Sequence, residues 1–265
     1  MRVQAPFGRR LVPVTGSDEV GAYRVLHVAD LDGPVPWPGQ FYMLASQERW
    51  GGGEDERPHV PRALSFLGAS DGGLSFMFED VGPGTRRLGE LRAGDNLWIM
   101  GPLGNGFELP PAGPRALLVG GGVGIPPLAA WSSLLSAHGV AHATLLGFRD
   151  AGHAEGALLL PDAQVATDDG SVGHHGLVTE LLGEELDRDR GAVVYSCGPP
   201  GMLEAVRARC EDRGTPAQLA LEAGMACGFG ACFGCVVAIR EGGYVRVCVD
   251  GPVLDAAQLE SVPAH

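Results

Sequence analysis

Four of the six cysteines in this 265-residue chain crowd its C-terminal end as Cys227-x4-Cys232-x2-Cys235-x12-Cys248. Thiolates at an x4, x2 spacing, with a fourth arriving from a distant strand, are the ligand set of a plant-type [2Fe–2S] cluster. The residues between them fit that chemistry: Gly228, Gly230, Ala231 and Gly234 are small, so the backbone can wrap an inorganic core. Its N–H groups can then point at the sulfurs, which favours the reduced, more negative state. The same residues also admit a structural zinc site, which more often pairs its cysteines in two separate knuckles, or a loop of buried thiols. Of the two remaining cysteines, Cys210 falls on the apolar-periodic side of MLEAVRARC and is expected in the core.

A cluster carries one electron and has no substrate site, so the rest of the chain must supply a donor or acceptor. Arg115–Gly121 has the length and apolarity of a strand and enters the turn GGGVG at Gly120–Gly124. Helix-like spacing follows over Ile125–His138, then a second strand over His142–Phe148. This is a βαβ opening, in which Gly120, Gly121, Gly122 and Gly124 would let a pyrophosphate approach the backbone at a positive helix end. The turn departs from strict G-x-G-x-x-G, and a tight strand-to-helix connection explains its glycines without a ligand. Another strand, Ala192–Gly198, ends in CGPPGML before a helix through Cys210. Cys197, Gly198 and Pro199 therefore stand at a strand's carboxyl end, where α/β sheets bind ligands; Cys197 is either a nicotinamide neighbour or a small buried residue.

The first 108 residues have a different texture. Short runs at Tyr23–Leu31, Gln40–Ala45, Ala63–Leu67, Leu74–Phe78 and Asn96–Met100 recur between Gly/Pro turns, with one short helix candidate at Thr85–Leu91. That pattern predicts a small antiparallel barrel. Within it, Arg62-Ala63-Leu64-Ser65 places a fixed cation and a hydroxyl on one strand, and Gly84-Thr85 opens the short helix with free N–H groups. Arg62 is then an anion anchor or simply a solvated side chain.

Composition narrows the chemistry further. All 19 basic residues are arginine, which removes lysine Schiff bases, pyridoxal-phosphate anchors and P-loop lysines. The net charge of −13 is spread along the chain with no basic stripe, which argues against nucleic acid and anionic membrane surfaces as partners. The start MRVQAPFGRRLVPV lacks a signal-length apolar run, and the apolar stretch Ala116–Leu135 is broken by Gly and Pro. A cytoplasmic protein is expected, in whose reducing compartment the cysteines serve as ligands or core residues and not as a disulfide framework.

Taken together, PGQF (Pro38–Phe41), RALS (Arg62–Ser65), GPGT (Gly82–Thr85), GPLGNGF (Gly101–Phe107), LLVGGGVGIPPL (Leu117–Leu128), ATDDGSVG (Ala166–Gly173), CGPPGML (Cys197–Leu203) and the cysteine loop resemble the ferredoxin-reductase superfamily. Within it they resemble the electron-transfer subunits of NAD-dependent (class 1B) dihydroorotate dehydrogenases. The resemblance spans nearly the whole chain; its most specific parts are GPLGNGF, ATDDGSVG and the cysteine loop, with Cys248 just before Asp250-Gly251-Pro252. It implies an α+β multi-domain chain: an FAD-binding β-barrel over residues 1–109, a Rossmann-like NAD-binding α/β domain over 110–222, and a small [2Fe–2S] module over 223–265. Arg62 would hold the FAD pyrophosphate and the Ser65 region the isoalloxazine, with Ala63, Leu64, Met77, Phe78, Glu79, Gly84 and Thr85 completing the flavin site. Gly120–Gly124 and Cys197–Pro199 would frame the nicotinamide cofactor, and Cys227, Cys232, Cys235 and Cys248 would ligate the cluster. Ala63 stands where the family motif R-P-x-S has proline, and the polar segment Gln47–His59 is longer than expected.

The resemblance also implies a mechanism. Hydride moves electrons in pairs and a cluster moves them singly, so a flavin must convert between the two. In the family, dihydroorotate is oxidised at the FMN of a separate catalytic subunit, the likeness implying a two-plus-two heterotetramer in pyrimidine (UMP) biosynthesis. Electrons then cross the cluster and FAD to NAD⁺. No dihydroorotate site is expected in this chain. Phe229 and Phe233 either face that partner or pack around the cluster, and His174-His175 are expected on a loop surface. Three other readings stay open: a reductase subunit serving a different flavoenzyme, in which the first ligand tends to be Asp where this chain has Cys227; a stand-alone NAD(P)H oxidoreductase; and a zinc-bearing binding module. Arg149 and Asp150 pull in opposite directions on NAD against NADP.

Overall fold

The computed structural model describes residues 8–51 and 58–262; the GGEDER portion of the Gln47–His59 segment and the chain ends lie outside them. Six strands, β1 (Arg10–Val20), β2 (Tyr23–Ala29), β3 (Phe41–Ser46), β4 (Arg62–Ser70), β5 (Gly73–Glu79) and β6 (Asn96–Leu103), close an antiparallel barrel in the order β1-β2-β5-β4-β3-β6. The expected run pattern contains five of these strands and lacks β1. Pro13 and Gly16 interrupt its alternation, and the structure absorbs them with a register shift between Val14 and Gly16 against β2. The short helix α1 (Pro83–Gly89) follows β5, with the Thr85 hydroxyl accepting from the N–H of Val81 (3.0 Å) and of Gly82 (3.2 Å).

The second half is doubly wound. Strands β7 (Ala116–Gly121), β8 (His142–Phe148), β9 (Gln164–Thr167), β10 (His174–His175), β11 (Val193–Cys197) and β12 (Ala217–Ala220) run parallel in the order β10-β9-β8-β7-β11-β12. Helices α2 (Ile125–Ala137), α3 (Ala151–Ala154), α4 (Val178–Arg188) and α5 (Pro200–Arg213) connect them. Every residue of β7 and β11 is buried, as strands covered on both faces must be. His174-His175, expected on a loop, instead form the edge strand β10, and His174 Nε2 lies 2.6 Å from Glu180 Oε2.

The cysteine-bearing end leaves this sheet and returns to it. After β12 the chain forms the cysteine loop and a hairpin, β13 (Val236–Ala238) and β14 (Tyr244–Arg246), then β15 (Val253–Asp255) pairs antiparallel with β12 at the sheet edge. A charge network fastens the hairpin to α5. Arg240 Nη1 donates to Glu211 Oε1 (2.6 Å) and Arg207 Nη1 to Glu211 Oε2 (2.7 Å), which holds the Glu211 carboxyl down at about 2.

β3 and α2 join the halves. On β3, Tyr42 and Leu44 point into the barrel, while Phe41 and Met43 point outward into the core that contains Leu103, Leu219, Cys235 and Cys248. From α2, Trp131 is fully buried against Phe107 and Tyr195, with ring centroids at 5.5 and 5.2 Å, and reaches Trp37 at 6.4 Å. Trp131 thus ties the barrel exit to the parallel sheet. Replacing Trp131 by Ala is expected to cost about 3–5 kcal/mol, read as a lowered midpoint in chemical denaturation.

Candidate functional site

Three places lie side by side along the seam between barrel and sheet. The first is the cysteine loop. The Cys227 thiol is opposed by burial, but backbone N–H groups of Cys232, Phe229 and Ala231 and the Cys232 thiol itself outweigh that and bring it down to about 6. Cys248 is pushed up to about 12 by burial, by its contact with Cys235 and by the charges of Cys235 and Cys227, against the N–H of Gly230. The thiols therefore meet as two couples, Cys227 with Cys232 and Cys235 with Cys248. Among the described residues no three ligand side chains converge as a single metal ion requires. Two thiol contacts from one four-cysteine loop supply the donor set of a binuclear [2Fe–2S] centre, in which each metal takes two thiolates.

The second place is a cavity of about 290 Å³ between the barrel and the parallel sheet. From the barrel it is lined by Ala63, Leu64, Ser65, Met77, Phe78, Glu79 and Thr85, and from the sheet side by Cys197, Val123 and Pro126. Glu222, Ala223 and Met225, which lead from β12 into the cysteine loop, close another wall. Arg62 stands just outside these lining residues. Its guanidinium fills the space a Cβ on Gly84 would need, 2.1 Å from Nε, and its partial burial lowers its pKa from the usual value. A fixed cation and the opening of α1 are thus adjacent at the cavity's rim.

The third place is a largely apolar pocket of about 420 Å³ at the carboxyl ends of the parallel strands. Gly121, Gly122 and Val123 line it from the start of α2, and Pro199, Gly201 and Met202 from the start of α5. Gly120 is buried beneath. Gly124 packs so tightly that a Cβ there would stand 2.1 Å from the Cys197 carbonyl oxygen, which fixes the glycine by close approach. Gly198 lies against Gly121. Glu79 and Val123 line both this pocket and the seam cavity, so the two share a wall.

The structure thus gathers most of the residues expected from the sequence. Cys197, read from the sequence as a nicotinamide neighbour or a small buried residue, is buried and lines the seam cavity, and burial holds its thiol far above the usual range. Cys210 is in the core as expected, pushed up to about 12 by burial. Sequence reasoning missed Glu222, Ala223 and Met225, which carry no local pattern, and Tyr23 and Asp168 on the third place. It also left Arg149 and Asp150 undecided. Arg149 reaches across the seam to Glu79 and to His153, and Asp150 turns back to accept from the His153 N–H (3.0 Å) and to meet His153 Nδ1 (2.7 Å).

A six-stranded barrel, a parallel sheet and a four-cysteine loop sharing one seam define a ferredoxin-reductase-like protein. The structure of NADH-dependent reduced ferredoxin-NADP oxidoreductase superposes with a TM-score of 0.80 at 25% identity, covering 96% of this chain and 91% of that one. The ferredoxin reductase of carbazole 1,9a-dioxygenase superposes at 0.65 with 21% identity, covering 78% and 66%. Residues 222–260 match the iron-sulfur cluster binding domain of dihydroorotate dehydrogenase B. The dihydroorotate dehydrogenase B (NAD(+)) electron transfer subunit of Bacillus caldolyticus is 39% identical over 84% of this chain and 86% of its own length, and that of Shouchella clausii is 35% identical over 90% and 92%. The chain belongs to the family of dihydroorotate dehydrogenase B electron transfer subunits.

The burial of the six thiols orders their reactivity. In metal-free folded protein, Cys227, half-buried with its thiol brought down to about 6, and the exposed Cys232 are expected to be alkylated first by iodoacetamide. Cys197 and Cys210 are expected to react only after unfolding, as read by peptide mass spectrometry.

Proposed function

We propose that this chain is the electron-transfer subunit that carries electrons from a dihydroorotate dehydrogenase catalytic subunit to NAD⁺, in de novo pyrimidine biosynthesis. The observation that carries the proposal is the order of the three places: cysteine loop, seam cavity and strand-end pocket, each sharing a wall with the next. Cys227, Cys232, Cys235 and Cys248 hold the [2Fe–2S] cluster in two couples. The seam cavity takes the isoalloxazine of FAD, with the Ala63–Ser65 backbone and Met77–Glu79 against it. Arg62 and the Gly84–Thr85 opening of α1 hold the FAD pyrophosphate. Flavin, when bound, supplies the exchange between paired and single electrons.

The strand-end pocket takes NAD⁺. Gly120–Gly124 and Gly198–Pro199 bring two helix N-termini, α2 and α5, to its pyrophosphate. Val123, which lines both the pocket and the seam cavity, borders the place where the nicotinamide would meet the flavin face directly, and helps to keep water out of it. Arg149 is already paired with Glu79 and His153, and Asp150 is committed to α3, so neither sets the choice of dinucleotide. Asp168 lies exposed on the pocket wall; a carboxylate there accepts from ribose hydroxyls and repels a 2′-phosphate, which supports NAD over NADP.

The partner is an FMN-containing catalytic subunit in a two-plus-two heterotetramer, docking on the cysteine-loop face. Phe229 and Phe233 are 45% and 62% exposed beside the ligands, and large apolar side chains exposed together mark interaction surfaces.

Anaerobically purified protein should show flavin bands over broad cluster absorption and, on partial reduction, the paramagnetic signal of a [2Fe–2S]⁺ centre. Dihydroorotate-dependent NAD⁺ reduction should appear only when the catalytic subunit is added. A colourless protein holding stoichiometric zinc, or a reconstituted pair without that activity, would refute the assignment. Arg62→Ala should weaken FAD binding by about 2 kcal/mol, roughly 30-fold in dissociation constant, through loss of a charge-assisted hydrogen bond.

A further inference from the structure

On the barrel side, where the cysteine loop faces β3, one layer of side chain lies between the loop and the seam cavity. Met43, on the outward face of β3, is 2% exposed. Its register partner across the strand pair is Ala63, on the cavity wall. On its other side Met43 meets Gly228, the residue after the first cysteine: a Cβ on Gly228 would stand 2.6 Å from Met43 Cγ, 2.9 Å from its Sδ and 3.2 Å from Leu103 Cδ1. Gly228 also has φ of +78°. The loop therefore rests its backbone directly on Met43, and nothing larger than a hydrogen fits between them.

The shape of the layer explains why it is rigid. Phe41, Met43 and Leu103 belong to the same packed core as Cys235 and Cys248, with Ala63 and Met225 packed against it. The strand beneath is fully buried on both faces, so it cannot yield toward the barrel without disturbing Tyr42 and Leu44.

We propose that Met43 is the spacer that fixes the separation between the cysteine loop and the seam cavity, and that Gly228 is glycine so that this separation is as short as one methionine side chain. The proposal rests on cluster and flavin occupying these two places. Met43 is a positioning residue: it ligates nothing and sets how far one electron must pass.

The test uses the protein loaded with iron–sulfur cluster and FAD, mixed anaerobically with excess NADH in a stopped-flow instrument. The flavin band bleaches first; the cluster band follows as one electron arrives and one iron goes from ferric to ferrous. Gly228→Ala is expected to leave the first phase unchanged and to slow the second several-fold, because the added methyl lifts the loop from Met43. Adding Met43→Ala to that variant is expected to restore the second phase. Trimming Met43 relieves a contact but does nothing for the positive φ, so rescue separates spacing from backbone strain. Met43→Phe, which adds bulk from the strand side and leaves residue 228 a glycine, free to keep its positive φ, is expected to slow the second phase alone and serves if Gly228→Ala fails to fold. The reduced cluster should keep its wild-type electron-paramagnetic line shape and midpoint potential in all three, as it would not if the ligands themselves had been disturbed. A second phase unchanged in Gly228→Ala and Met43→Phe, or one left unrescued in the double variant, overturns the spacer while leaving the assigned function standing. A wild-type protein that binds neither group overturns both.

Discussion

The structure turns on the double-sided burial of β3. A strand of a small barrel normally faces its own core on one side and water on the other, and its sequence alternates accordingly. Here FYMLAS is buried at all six positions, because the outward residues Phe41 and Met43 are covered by the sheet domain and the cysteine loop. Remove that cover and an apolar stripe is left in water; supply it and barrel, sheet and loop are held in one arrangement. The seam cavity exists because this contact brings the barrel's β4 and β5 opposite the ends of β7 and β11.

The same constraint explains how a 39-residue stretch matched to an iron–sulfur domain is held by so little secondary structure of its own. Its hairpin has three residues per strand, too few to be stable alone. It borrows order from β15, which completes the edge of the sheet, from the Arg240–Glu211–Arg207 network on α5, and from Met43 beneath the loop. Metal ligation supplies the rest where thiolates are brought together.

The absence of lysine acquires a structural meaning in this setting. Arginine carries every fixed positive charge, and most of these charges are spent in pairing: Arg207 with Glu204 and Glu211, Arg115 with Glu185, Arg149 with Glu79. Arg62 is the exception at the sites: among the described residues it reaches the Val60 carbonyl and the face of Trp50, and it stands at the rim of the seam cavity. Under the proposed function, anion binding elsewhere would fall to glycine turns and helix ends, whose N–H groups need no countercharge.

The sequence by itself determined the elements whose chemistry is local. The spacing of Cys227, Cys232 and Cys235, the glycine turn before α2, the apolar runs of β7 and β11 and the barrel's short strands all follow from residue type and period, which act over a few positions. β1 was obscured because Pro13 and Gly16 break its period, and only pairing with both β2 and β6 overrides that. What only the tertiary structure decided is which distant residues share a wall. The place of Cys197 on the seam cavity, the entry of Glu222–Met225 into it, the crossing of Arg149 to Glu79 and the seat of Gly228 on Met43 join residues far apart along the chain, and no local pattern encodes them. They arise because burying the outward face of β3 leaves one way for the two halves and the loop to close together.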